Sequence, residues 1–229
     1  MDILGYRKLQ GLIDFHDNLF TNVEQFDHML KALLDELQAP VPPEDVQKPA
    51  SPAWDLKTQV LCTVRFMFDR AKSHFAGYYS NTIVALLKAD KICEVAPHLI
   101  EVLDKLIDDI LTESDPFLLA DTLVQVLDFK ETDTDHRTFL KGMDVMERVL
   151  VSLNSNKKKL PDDTSERIAI VGARALEKKS LGQQKPVIAT CVELRKMIAS
   201  DDKLFTMMRN PNAQTRSLIV YYKTRETKY

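Results

Sequence analysis

The apolar residues of this chain repeat at the pitch of an α-helix along nearly its whole length. In 99–111 they fall at i, i+3, i+4, i+7, i+8, i+11 and i+12 and form one continuous side: Leu99, Val102, Leu103, Leu106, Ile107, Ile110 and Leu111. Glu101, Asp104 and Asp108 lie on the opposite side. This pattern is typical of an amphipathic helix, and no segment alternates like a strand for more than four residues. The sequence therefore predicts an all-α protein.

The predicted helices follow one another in pairs, as they do in helical repeat proteins. The starts of successive pairs are about 40 residues apart, a period typical of HEAT and armadillo repeats. We therefore expect a HEAT/TOG-like α-solenoid of about five helix-turn-helix pairs, with a globular helical bundle as the alternative. The predicted helices are 3–17, 22–38, 54–72, 75–89, 94–113, 116–129, 135–154, 163–179, 185–199 and 211–226, with a short helical turn at 201–208.

A proline-rich segment, 39–53, interrupts this pattern. Its prolines are Pro40, Pro42, Pro43, Pro49 and Pro52. Proline is excluded from the interior of a helix because it lacks the amide hydrogen and its ring clashes with the preceding turn. We expect a surface loop and not a domain boundary, because the helical pair before it has too little core to fold alone. Residues 1–229 are thus predicted to form a single helical-repeat domain.

Charge is distributed unevenly along the chain, although the net charge is only −3. Residues 157–229 carry 16 Lys and Arg against 8 Asp and Glu, whereas 1–156 carry 15 against 26. A basic half attracts acidic partners, but two solvated faces of unlike sign are the simpler interpretation. The weakly acidic total argues against a dedicated nucleic-acid-binding protein. The longest apolar runs, of about five residues, are too short to span a bilayer.

The reactive side chains show no arrangement that points to catalysis or metal binding. The 5 histidines form no HExxH motif and the 3 cysteines form no CxxC pair, so no zinc site is predicted. The sequence also lacks the glycine-rich motifs that hold phosphate groups, and it contains only 6 glycines. We therefore predict that the protein is not an enzyme and that it has no metal or cofactor.

The last predicted helix is unusual because its apolar residues do not keep to one side. Residues 218–222 read Leu-Ile-Val-Tyr-Tyr, whereas the terminal helices of repeat proteins have a polar outer face. Either this helix packs into a groove of its own array, or it contacts another chain through tyrosine and arginine, which are enriched at interfaces. The residues assigned to this candidate interface are Arg216, Leu218, Tyr221, Tyr222, Lys223 and Arg225.

Several segments of the predicted array carry a family resemblance. The two most distinctive segments are 186–198, PVIATCVELRKMI, and 214–225, QTRSLIVYYKTR. A third segment that carries the resemblance, 80–89, SNTIVALLKA, precedes them in the chain. In this layout the chain resembles the C-terminal domain of the CLASP family, the cytoplasmic linker-associated proteins that regulate microtubules. The proline insertion at 39–53 and the loop at 154–162 depart from the family pattern and suggest a divergent, fungal-type member. Full-length members are far longer, so the resemblance implies a piece excised from a larger protein.

The resemblance also implies a function. The C-terminal domain of the family is a TOG-like helical array that docks on other proteins, so the expected partners are adaptor proteins at kinetochores, the spindle or microtubule plus ends, and a second copy of the chain. Microtubules would be bound through the full-length protein, in the cytoplasm, on the spindle or, in closed mitosis, in the nucleus. No nucleic-acid partner and no membrane insertion are expected. The alternative is direct tubulin binding through the basic half, 157–229, because tubulin surfaces are acidic.

Overall fold

All regular secondary structure in the computed structural model is helical over the residues that it describes, which confirms the predicted all-α, solenoid-like fold. The structure describes residues 2–16, 19–20, 22–46, 48, 51–93, 96–128, 136–178 and 185–226. The helices are α1 (Ile3–Phe15), α2 (Val23–Gln38), α3 (Pro52–Arg70), α4 (Lys72–Phe75), a 3₁₀ turn (Ala76–Tyr78), α5 (Tyr79–Ile92), α6 (Pro97–Glu113), α7 (Pro116–Leu127), α8 (His136–Ser155), α9 (Asp162–Lys178), α10 (Lys185–Ile198), α11 (Asp201–Met207) and α12 (Ala213–Glu226).

Several helices begin at residues suited to capping. The Asp115 carboxylate accepts a hydrogen bond from the backbone N–H of Phe117 at 3.0 Å. Pro116 takes the first position of α7, where its missing amide hydrogen costs nothing. At α2 the Asn22 side chain accepts from the backbone N–H of Glu24 at 2.8 Å. Such acceptors satisfy amides of the first turn that have no partner within the helix.

The proline-rich segment ends earlier than the sequence predicted, because α3 begins at Pro52. Proline is tolerated in the first turn of a helix, where its amide would be unpaired in any case. The described residues of the segment before Ser51 form no helix. Trp54 is 1% exposed, and its indole N–H donates to the backbone carbonyl of Asp45 at 3.1 Å. The first turn of α3 therefore holds the loop in place.

The connection between α3 and α5 also differs from the prediction, because it is helical. The predicted helices 54–72 and 75–89 left a break at 73–74, whereas the break falls at Ala71, and α4 and the 3₁₀ turn carry the chain from Lys72 to Tyr79. Phe75 is fully buried, and its ring centroid lies 5.4 Å from that of Phe68 and 6.0 Å from that of Tyr79. This aromatic cluster favours a tight helical turn because an extended connection would pull Phe75 out of the core.

The chain divides into two compact units, Met1–Ser114 and Asp115–Tyr229. In Met1–Ser114, α3 packs on α1 and α6, and α2 packs on α5. The hairpins here join α2 to α3 and α5 to α6, whereas pairing in chain order would join α1 to α2. Two layers of stacked helices result, as in HEAT-like repeats. That 1–229 form a single domain stays a prediction.

The unit Asp115–Tyr229 has the same two-layer arrangement. Hairpins join α7 to α8 and α9 to α10, while α9 packs on α7 and α11, and α10 packs on α8 and α12. The layer of α7 and α9 is also linked at its surface, because Arg167 Nη1 lies 2.9 Å from Asp121 Oδ1. Apolar burial between stacked helices is the dominant favourable contribution to such a fold.

A buried lysine closes the C-terminal end of α2. Lys57 of α3 is 4% exposed, and its ammonium group donates hydrogen bonds to the backbone carbonyls of Glu36, Leu37 at 3.1 Å and Ala39 at 2.6 Å. The last carbonyls of a helix have no partner within it, and a cation there also interacts favourably with the helix dipole. Burial lowers the pKa of Lys57 below its ordinary value.

A glycine lets α9 and α10 approach each other closely. A Cβ atom added at Gly172 of α9 would lie only 2.6 Å from the Sγ atom of Cys191 in α10. Cys191 is fully buried, and this burial raises the pKa of its thiol to about 12. A thiol in this environment stays protonated and packs as a small apolar group.

Candidate protein-interaction surface

The last helix, α12, has one buried side. Thr215 and Ile219 are 3% and 1% exposed, and α12 packs against α9 and α10. Leu218 and Lys223 are half-buried. This side corresponds to the interpretation in which the helix packs onto its own array.

Away from its buried side, α12 carries apolar and aromatic groups in solvent. Val220, Tyr221 and Tyr222 are 39%, 48% and 41% exposed. The two tyrosine rings meet edge to face, with their centroids 5.4 Å apart. A tyrosine presents a large apolar ring with few rotatable bonds, so it contributes contact area at a low entropic cost. We call the group of Val220, Tyr221 and Tyr222 the tyrosine surface.

Two of the three cations predicted to surround this surface, Arg216 and Lys223, are held by neighbouring residues. The Arg216 side chain donates to the backbone carbonyl of Pro211 at 2.9 Å, and its guanidinium carbon lies 5.5 Å from the centroid of the Phe205 ring. Lys223 Nζ lies 3.2 Å from Asp201 Oδ2. These contacts limit the freedom of both side chains.

Asp201 is the centre of a small charge cluster beside α12. Its carboxylate accepts a hydrogen bond from Arg195 of α10 as well as from Lys223 of α12. The hydrogen bond from Arg195, followed by that from Lys223, holds the pKa of Asp201 below its ordinary value. The cluster ties α12 to α10 and to the start of α11.

The predicted interface residues are therefore only partly brought together. Tyr221 and Tyr222 lie side by side in solvent, Leu218 turns partly inward, and Arg216 is exposed but tethered. Arg225 belongs to α12, but its side chain lies outside the described residues. Sequence reasoning did not assign Val220 to the site, although it stands in the same apolar run. Asp201 was missed because nothing in its local sequence indicates a partner on another helix.

The loop between α8 and α9 contains a second charged feature. Lys157, Lys158 and Lys159 are all exposed. The backbone N–H of Lys157 donates to the carbonyl of Asn154 at 3.0 Å, and that of Lys158 donates to the carbonyl of Leu153 at 2.9 Å. The loop thus continues directly from the end of α8 and presents its cations to solvent. We call these residues the lysine loop.

The described part of the chain offers neither a metal site nor a membrane span. It contains no group of three or more His, Cys, Asp and Glu side chains placed to hold a metal ion. In the same ranges, each helix is too short or too polar to cross a lipid bilayer.

Comparison with known proteins gives a consistent set of relatives, although no family model matches the chain. The chain is 36% identical over 223 residues to Protein stu1 of Aspergillus fumigatus, and the match covers 97% of the chain and 16% of that protein. It is 29% identical over 223 residues to Protein STU1 of Coccidioides immitis, covering 97% of the chain and 18% of the relative. It is 27% identical over 236 residues to Protein stu-1 of Neurospora crassa, and this match covers 98% of the chain and 21% of that protein.

The chain thus spans about a fifth of the length of the relatives that it matches. The match covers both compact units, since it includes nearly all of the chain. It agrees with the predicted resemblance to a divergent, fungal-type C-terminal segment. Over nearly its whole length, the chain is thus similar to a segment of the fungal Stu1 proteins, which are CLASP-family proteins.

Proposed function

We propose that the chain is a non-catalytic protein-interaction module of a microtubule-associated, CLASP-like protein. In this proposal it recruits the larger protein to adaptor proteins at kinetochores, the spindle or microtubule plus ends, and it pairs with a second copy of itself. The similarity to Stu1 proteins supports the cellular setting. The tyrosine surface is the single observation that carries the proposed contact.

The surroundings of the tyrosine surface favour a protein partner. Its rings stand on a helix that is fixed from behind by Ile219, so little conformational entropy remains to be lost on binding. Asp201 offsets part of the positive charge of Arg195 and Lys223, which reduces the repulsion that two copies of α12 would otherwise experience. Aromatic groups at the centre of a contact and polar groups at its rim are typical of interfaces.

Multi-angle light scattering tests the pairing directly. We expect the wild type to elute as a dimer and the double variant Tyr221→Asp, Tyr222→Asp to elute as a folded monomer. Val151→Asp is a matched control, because Val151 is a comparably exposed apolar residue (41%) on α8; it should stay dimeric. If the aspartate variant unfolds in circular dichroism, Tyr221→Ser, Tyr222→Ser replaces it. A monomeric wild type, or a dimeric folded variant, contradicts pairing through this surface.

Recruitment requires a separate measurement. Candidate adaptor proteins from the spindle and kinetochore should bind the wild-type chain in pull-downs and lose binding to the tyrosine variant. If every purified adaptor fails to bind the wild type, the recruitment role is refuted even if the dimer is present.

The lysine loop favours a second candidate, direct binding to the acidic surface of tubulin. Its three exposed cations would make binding sensitive to salt, because exposed charges are screened over about 10 Å at 0.1 M ionic strength. Microtubule co-sedimentation at low and moderate salt separates the two candidates. Salt-sensitive pelleting that is lost when the three lysines are replaced by glutamine supports tubulin binding. A chain that stays in the supernatant at both salt concentrations excludes it.

A further inference from the structure

Helix α1 has apolar groups on two opposite sides. Tyr6 and Ile13 are 5% and 1% exposed, on the side that packs against α3. Leu4, Leu12 and Phe15 are 59%, 48% and 83% exposed. At about 100° per residue, these three fall on one side of the helix, opposite the buried pair. Isolated exposed apolar residues are common on protein surfaces, but three aligned on one helix, including a phenylalanine, form a patch. We call it the α1 outer face.

Gly11 lies on the same face, and the packing of the chain does not require it. A Cβ atom added at Gly11 would meet no atom within 4 Å, and no described glycine has a positive φ angle. Glycine is among the least favourable residues in a helix interior, so internal structure gives no reason to keep it there. A glycine does, however, allow another backbone to approach a helix closely. The open space beside Gly11 therefore leaves room for the backbone of a rigid partner.

The charges on this face identify the partner's chemistry. Arg7 and Lys8 are exposed beside the apolar groups, and neither has an ion-pair partner among the described residues. The nearby carboxylate of Asp14 is engaged by Arg70 of α3. The face therefore presents two uncompensated cations next to an apolar stripe. Complementary charge would come from carboxylates that flank an apolar stripe on the partner.

We infer that the α1 outer face docks an amphipathic helix of another protein, whose apolar stripe is bordered by acidic residues. The partner helix crosses α1 at Gly11, packs against Leu12 and Phe15, and places carboxylates near Arg7 and Lys8. A lipid surface explains these features less well, because fluid lipid fits around a methyl group and does not require a glycine. This surface lies in the other compact unit from α12, and its role does not depend on the function proposed for the tyrosine surface.

Fluorescence anisotropy with designed peptides tests this inference on the full chain. The probe is a labelled helical peptide of about 20 residues with leucines at i, i+4, i+7 and i+11 and glutamates beside them. The matched peptide has lysine in place of every glutamate. We expect the acidic peptide to bind the wild type about 10-fold more tightly than the basic one. Equal affinities, or no binding of either peptide, would overturn the inference.

Variants of the chain then locate the contact. Gly11→Ala should raise the thermal midpoint by ~2 °C and weaken the binding of the acidic peptide about 5-fold. A purely structural role of Gly11 cannot produce both a more stable chain and weaker binding. Gly77→Ala is the matched control, since a Cβ there also meets no atom within 4 Å, and it should leave binding unchanged. Phe15→Ser should weaken binding without unfolding, because the side chain is largely in solvent. Unchanged binding by Gly11→Ala or Phe15→Ser would overturn the inference.

Two further measurements exclude other occupants. Vesicles of phosphatidylcholine and phosphatidylserine should not compete with the acidic peptide; if they do, the face binds lipid and the inference is wrong. Light scattering of Phe15→Ser should match the wild type, since a loss of dimer would assign the face to a second copy of the chain. The Tyr221→Asp, Tyr222→Asp variant should bind the acidic peptide normally, so failure of either surface can be recognised separately.

Discussion

Gly172 offers the sharpest test of the packing between α9 and α10. A Cβ atom at this position would lie 2.6 Å from Cys191 Sγ, well inside the normal contact distance. Cys191 is fully buried and its side chain is short, so the sulfur has little freedom to move away. We therefore expect Gly172→Ala to force the two helices apart. Most glycine-to-alanine changes in helices have the opposite effect and stabilise the protein.

The expected magnitude follows from two opposing contributions. Alanine in a helix interior is favoured over glycine by about 0.5–1 kcal/mol, whereas overpacking a buried contact costs about 1–3 kcal/mol. The net result should be a loss of about 1–2 kcal/mol in the free energy of unfolding. Cys191→Ala alone should cost about 1 kcal/mol, because it removes one buried heavy atom and leaves a small cavity. In the double variant the new methyl group occupies the space left by the sulfur, so the two changes should couple by about 2 kcal/mol.

Urea unfolding followed by circular dichroism measures this cycle. The double variant should be more stable than Gly172→Ala alone, although it carries one more substitution. Gly11→Ala is the control for the general effect of alanine in an α-helix, because Gly11 lies inside α1 and no atom lies within 4 Å of a Cβ there. Additive effects of Gly172→Ala and Cys191→Ala, or a stabilising Gly172→Ala, would refute the proposed close approach.

Three further expectations concern buried and paired groups. Lys57→Met should lower the free energy of unfolding by about 3 kcal/mol, because the carbonyls of Leu37 and Ala39 lose their ammonium donor, while that of Glu36 keeps the backbone N–H of Ala39; urea denaturation measures this, and a neutral effect would contradict it. Trp54→Phe should cost about 1 kcal/mol, since the hydrogen bond to Asp45 is lost while the ring stays buried, and the same assay shows whether it does. The pKa of Asp201 is lowered in the folded state by its hydrogen bond to Arg195, so its stabilising contribution is present above about pH 4 and is lost as the pH falls through the folded-state pKa. Asp201→Asn should therefore weaken the pH dependence of the thermal midpoint in this acidic range, and an unchanged pH profile would argue against the cluster.

Much of the helical architecture could be predicted from the sequence because amphipathic periodicity is a local property. The residues that form one side of a helix are three or four positions apart, so the chain itself records them. The helix α6, predicted as 94–113, is observed at Pro97–Glu113, and the predicted turn at 201–208 is α11. The resemblance to the CLASP family could likewise be recognised from the sequence alone, and the similarity to Stu1 proteins is consistent with it.

Which apolar side is buried was decided only by the tertiary structure. The α1 sequence places Tyr6 and Ile13 on one side and Leu4, Leu12 and Phe15 on the other, and nothing local indicates that α3 covers only the first. In α12, similarly, contact with α9 and α10 buries Ile219 and leaves the adjacent tyrosines in solvent.

The same holds for contacts between residues far apart in the chain. From the sequence, Lys57 would be taken for an ordinary surface lysine, but in the fold it donates to carbonyls at the end of α2. Gly172 would be taken for a residue that weakens its helix, but in the fold it makes room for Cys191. The periodicity of apolar residues specifies each helix and its two sides. The free energy of burial, however, depends on the residues that pack against each side, and these residues lie on other helices.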